Sequence, residues 1–189
     1  MTSESQNFSW MHLGGAVLFF IWMVSLASPE RPSSFLHWID LAFHEAGHLA
    51  FAPFGRTLML LGGTLLQLII PAALCGYFFV RRNPFSAAFC TFWLGENFID
   101  VSVYMADART LQLDLVGGGE HDWNNLFYQF GTLTEDWVTA ISTTTHHVGV
   151  LFMLAATVWV GLLGLPSERK SMLVEWLADR LPFLRAYTG

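Results

Sequence analysis

The sequence predicts an all-α protein: a polytopic transmembrane helix bundle of about five spans, oriented N-out/C-in, with a C-terminal amphipathic helix. Three observations predict it. Only 13% of the 189 residues are charged while 53% are hydrophobic, and soluble domains carry about 25% charged residues. Five apolar runs approach the ~20 residues that cross about 30 Å of hydrocarbon. No run alternates with the ten-residue pattern of a membrane barrel, and lipid tolerates no open strand edge, so each run reads as a helix. The seventeen Phe and eight Trp exclude a disordered chain. A net charge of -6 excludes a basic face for phosphates, so the lipid bilayer is the expected partner and nucleic acid is not.

The expected spans run from about Trp10 to Ala27, Phe35 to Phe54, Thr57 to Val80, Phe85 to Met105 and Val148 to Leu165. The first, third and fifth contain no Asp, Glu, Lys or Arg. Ser25-Leu26-Ala27 looks like a cleavage site, but no Lys or Arg precedes it, so the first run is expected to be a retained helix and not a signal peptide. With the N-terminus outside, the inner side holds Arg31, Arg81, Arg82, Arg169, Lys170, Arg180 and Arg185, seven of nine basic residues, which the positive-inside rule favours. Residues 106–147 then form an outer loop. The expected organisation is one membrane domain over 1–166, with its core at 35–107, and a tail at 167–189. In that tail Met172, Leu173, Trp176, Leu177 and Leu184 lie near helical spacing, as in a helix on the inner surface or one capping the bundle. Compactness suggests a bacterial inner membrane. Cys75 and Cys90 read as packed small hydrophobes.

Chemistry concentrates in the second span, at His44-Glu45-Ala46-Gly47-His48. Residues four apart share a helix face, so both imidazoles can reach one metal ion while Glu45 addresses its water. With seven His and eight Glu in the chain, the pattern arises by chance about once in a hundred such sequences. A central Asp in a transmembrane helix costs about 2.5–3.5 kcal/mol, so three ionisable groups in five residues call for a compensating cation. Zinc is the expected cofactor and Glu45 the expected general base. Asp40, one turn earlier, could orient His44 or simply mark a wet helix end.

Two imidazoles need a third ligand. The fourth span offers Gly95-Glu96-Asn97-Phe98-Ile99-Asp100, where Glu96 and Asp100 share a face, and either would complete a two-His, one-carboxylate site with an open position. Glu96 is placed first and Asp100 a near-equal second. Gln67 and Asn97 are candidate substrate-positioning residues, and Gln67 could equally bond across a helix interface. In the outer loop His121 and Asp122 could close over the site, hold a second ion, or form a solvated turn. His146 and His147 read as an interfacial pair.

Two families share parts of this pattern. Glu96 followed by Asp100 resembles the Glu-x-x-x-Asp arrangement of thermolysin-type proteases, in which the Glu is the ligand and the Asp supports a ligating His. The order of elements over about residues 35–107 resembles the core of site-2-type intramembrane metalloproteases. There an HExxH helix is followed by a helix with a Gly-x-x-x-Asn type pattern, here Gly63-Thr64-Leu65-Leu66-Gln67, and by a helix bearing the third ligand in a Leu-Asp-Gly motif, here Ile99-Asp100-Val101. The resemblance implies hydrolysis of peptide bonds in membrane protein or peptide substrates. The alternatives are a zinc hydrolase acting on a lipid-linked amide or ester, and a zinc-binding transporter component or scaffold without protease activity. A haem bundle would need facing His on separate spans, and among the secure spans only His12 is available.

Overall fold

The computed structural model describes residues 9–27, 35–116 and 119–180. Among these the chain is helical, with seven α-helices: α1 Trp10–Ala27, α2 Phe35–Phe51, α3 Arg56–Val80, α4 Pro84–Ala106, α5 Asp122–Gln129, α6 Glu135–Leu163 and α7 Ser167–Arg180. By length and apolarity α1, α3 and α6 can each cross a membrane, as expected of a membrane protein. The expected outer loop is partly helical. It contains α5, and α6 begins thirteen residues before the apolar run, at a cap where Thr134 Oγ1 accepts from Trp137 N–H. At 1.5 Å per residue the 29 residues of α6 are ~43 Å long, more than the hydrocarbon requires. The tail helix α7 forms as expected, and Arg180 lies over the Trp176 ring; Arg31, Leu184 and Arg185 fall outside the described residues.

The helix α4 is the axis of the bundle. Its most extensive pairing is with α6, at a glycine crossing where a Cβ on Gly95 would lie 2.7 Å from Gly149 O, and one on Gly149 would lie 2.6 Å from Gly95 O. Backbones this close maximise dispersion where lipid gives no hydrophobic drive. Phe92, Ile99, Met153, Ala156 and Val160 fill this seam, with Phe19, Met23 and Leu26 of α1 against it. Encasement lets α4 carry Glu96, Asn97 and Asp100 without presenting them to lipid: the first two are fully buried. On its other side α4 meets α3, where Cys75 Sγ lies 3.2 Å from Thr91 Oγ1; both cysteines are free thiols.

The start of α1 meets the end of α6. Ser9 N–H donates to Gly164 O at 2.9 Å, and His12 packs edge-on against Phe85. The start of α1, the start of α4 and the end of α6 therefore share one end of the bundle. This departs from the expected N-out/C-in arrangement, in which those termini lie at opposite faces. That expectation takes every apolar run as a crossing, and the 17-residue α2 is not among the three helices long and apolar enough to cross. It starts with Phe35 stacked on Trp22, near the middle of α1's packing against α4, and ends beside the start of α3, where His48 meets Met59.

Candidate metal centre

Both imidazoles of the HExxH helix turn toward α3 and α5. The helices α2 and α3 touch backbone to backbone: a Cβ on Gly47 would lie 2.1 Å from Gly62 O, and one on Gly63 only 2.5 Å from His44 Nε2. The Gly62-Gly63 pair thus makes room for the His44 ring. Each imidazole is held by its Nδ1. His48 Nδ1 donates to Met59 O at 2.8 Å, and His44 Nδ1 donates to Gln67 Oε1 at 3.1 Å.

Their Nε2 atoms converge on a carboxylate from the outer loop. Asp122 Oδ2 lies 3.0 Å from His44 Nε2 and 3.3 Å from His48 Nε2. One ligand atom from each of the three residues lies within 4.8 Å of the others. Asp122 opens α5, whose cap is the His121 side chain accepting from Asn124 N–H. Its own N–H donates to Tyr104 OH at 3.0 Å, and that hydroxyl donates to Oδ2 at 3.3 Å. The short helix is seated by Trp123 Nε1 on Thr64 Oγ1, by Asn124 Nδ2 on Ala108 O, and by Phe127 in a cluster with Val101, Met105, Ala108 and Val138. Burial alone would raise the Asp122 pKa, but hydrogen bonds and charge from His44 and His48 hold it down at about 2.

The donor set fits a divalent cation. A neutral imidazole whose Nδ1 donates keeps a lone pair on Nε2. Without a metal, Nε2 protons can bridge the two rings to Asp122; with those protons displaced, two lone pairs and a carboxylate oxygen face one another and could hold a divalent cation instead. The Nδ1 acceptors on Gln67 and Met59 are the outer partners that ligating histidines ordinarily have. His44, His48 and Asp122 are thus a two-His, one-carboxylate group that could hold a metal ion.

The other sequence candidates fall into two groups. Glu96 and Asn97 lie in a separate buried cluster around Asp40, which accepts from Trp93 Nε1 at 2.7 Å and Asn97 Nδ2 at 3.2 Å, with the Glu96 carboxyl beside it. Asp40 is fully buried, so it is neither a wet helix end nor the partner of His44. Asp100 and Gln67 stand one step from the centre: Gln67 Nε2 donates to Asp100 Oδ2 at 3.1 Å, and Asp100 Oδ1 meets His37 Nδ1 at 3.0 Å. Among the described residues the carboxylate grouped with the two imidazoles is thus Asp122, and neither Glu96 nor Asp100 belongs to that group. Asn97 and Gln67, the expected substrate-positioning residues, are both buried and bonded to protein groups.

Glu45 is exposed, and its charge acts on both His48 and Tyr104. His121 is not arranged to hold a second ion. Its Nδ1 accepts from a backbone N–H, so the proton sits on Nε2, 3.5 Å from Asp107 Oδ2. Burial pushes the His121 pKa down, against the opposing pull of the Asp107 and Asp122 charges. Asp107 is itself the clasp of this loop, accepting from Thr110 Oγ1, Gln112 N–H and Leu113 N–H. Burial would raise its pKa, and these bonds outweigh that and lower it. His146 and His147 contact each other, and His12 bonds Ser9 at the opposite end of the bundle. Comparison with models of known families, with curated proteins and with solved structures returned no match to this chain, so its function is argued from the geometry of this centre.

Proposed function

We propose that the protein is a membrane-embedded zinc hydrolase that cleaves peptide bonds of membrane-associated substrates, with His44, His48 and Asp122 as ligands and Glu45 as general base. One observation carries the reading: both Nε2 atoms of the HExxH pair converge on Asp122 while both Nδ1 protons are taken up by acceptors on α3. Asp122 replaces Glu96 and Asp100 in the ligand role expected from sequence. Zinc held by this set would supply a Lewis acid. Glu45 would take a proton from the attacking water and deliver it to the leaving amine. Its exposure suits this task, because a base that must meet both water and substrate cannot be packed away. Glu45→Gln is expected to lower cleavage of a transmembrane peptide in detergent by about 10²–10⁴-fold, the range for loss of a general base, with zinc content unchanged. Retained cleavage would overturn the mechanism.

The orientation that goes with this reading is N-in/C-in, with α1, α3, α4 and α6 crossing and α2 entering and leaving on the outer side. Arg81, Arg82, Arg169, Lys170 and Arg180 then lie inside, and Arg56 and Arg109 outside, which still satisfies the positive-inside rule. The centre lies in the outer half, roofed by α5. Cysteines placed at Ser9 and Ser167, in a chain lacking Cys75 and Cys90, are expected to react with an impermeant reagent from one face only, and one at Gln129 from the other. Labelling of the Ser9 and Ser167 positions from opposite faces would refute this topology.

A further inference from the structure

His44 can offer Nε2 to a cation only while its proton stays on Nδ1. The acceptor that keeps it there, Gln67 Oε1, belongs to a side chain whose amide can turn over. Turned, it would put its NH₂ against His44 Nδ1, draw the lone pair to that nitrogen and send the proton to Nε2, into the centre. Gln67 Nε2, however, donates to Asp100 Oδ2 at 3.1 Å. A carboxylate accepts and cannot donate, so the amide must show its NH₂ to Asp100 and its oxygen to His44. Gln67 is 3% exposed, which leaves no water to substitute for either partner.

We infer that Asp100 is a positioning residue of the metal centre: through the Gln67 amide it selects the His44 tautomer that leaves Nε2 open to a divalent cation. This rests on the metal reading above. The chain from Asp100 through Gln67 to His44 carries orientation and not protons, because a carboxamide held at both ends has no acidic proton to pass on. In sequence Asp100 stands out as a ligand candidate or the support of a ligating His, and Gln67 as a positioning or interface residue, but nothing links these two positions thirty-three residues apart.

Substituting both partners separates orientation from packing. In Asp100→Asn the near-isosteric amide can donate or accept, so the Gln67 flip is no longer fixed. Affinity for Co²⁺, followed by its visible d–d absorption in the purified full-length protein, is expected to fall by about 10–100-fold, the range for losing an outer partner of a ligating His. In the double variant Gln67→Glu/Asp100→Asn, the carboxylate introduced between the two neighbours has no donor to turn toward His44 and accepts from both. Most of the lost affinity and the wild-type band shape are expected to return. Wild-type affinity in Asp100→Asn overturns the inference, as does a double variant that binds no better than the single. A wild-type protein that binds no Co²⁺ overturns the metal reading itself, which distinguishes the two failures.

Discussion

Replacing Asp122 by Ala is expected to lower zinc affinity by about 100-fold or more, and Glu96→Gln to leave it unchanged. Structural zinc in small peptides is bound with about 10–16 kcal/mol over four ligands. One ligand is therefore worth about 3 kcal/mol, or about two powers of ten at 1.4 kcal/mol each. In Asp122→Ala the two Nε2 atoms keep their orientation, because Met59 O and Gln67 Oε1 lie on α3 and not on α5. The loss then reports the missing carboxylate and not collapse of the pair. Tyr104→Phe is the control for loosened docking of α5: it removes a hydroxyl bonded to Asp122 but spares both oxygens, and zinc is expected to stay. Glu96 can become Gln without loss because it is engaged with Asp40 in the other buried cluster. Competition against a chelator, with elemental analysis of each variant, measures the effect. Zinc retained in Asp122→Ala and lost in Glu96→Gln would return the ligand role to the fourth span.

The difference between those two carboxylates shows what the sequence could and could not disclose. His44, Glu45 and His48 were legible because one helix fixes their spacing, so a local pattern implies a three-dimensional one. Asp122 lies 78 residues beyond His44, across two helices and an irregular loop, and no periodicity relates such positions. A weak signal existed: His121-Asp122 precedes Trp123, Leu126 and Phe127 at helical spacing, an amphipathic turn unexpected in a solvated loop. Hydropathy located the spans closely where lipid contact dictates composition, as in α1 and α3. It missed the first part of α6, where Thr and His residues continue the helix outside any apolar requirement. The N-out/C-in expectation also took each apolar run as a crossing, yet α2 buries Asp40 and His44 and exposes Phe35, Trp38, Ile39 and Leu49, so its apolarity alone does not say on which side its ends lie.

Among the described glycines, Gly47→Ala is expected to add the most damaging methyl, affecting stability and metal together. The added carbon would lie 2.1 Å from Gly62 O, 2.6 Å from Gly62 C and 2.9 Å from Gly63 Cα. These are backbone atoms, so no rotamer change can relieve the contact and the two helices must separate. Overpacking typically costs about 1–3 kcal/mol, and a backbone clash belongs at the upper end. The consequence for the centre follows from which helix holds what. His44 and His48 stand on α2, while the acceptors of their Nδ1 protons stand on α3 at Gln67 and Met59. Moving the helices apart stretches both bonds, frees both rings and releases the lone pairs from their common focus. Gly76→Ala on the same α3 is the contrast: no atom lies within 4 Å of its added carbon, and replacing a helix-interior glycine there should stabilise by about 0.5–1 kcal/mol. Thermal unfolding in detergent followed by helicity, with zinc content of each variant, measures both effects. An unchanged transition and full zinc in Gly47→Ala would mean that α2 and α3 do not meet at these glycines, and the centre built on that contact would fall with it.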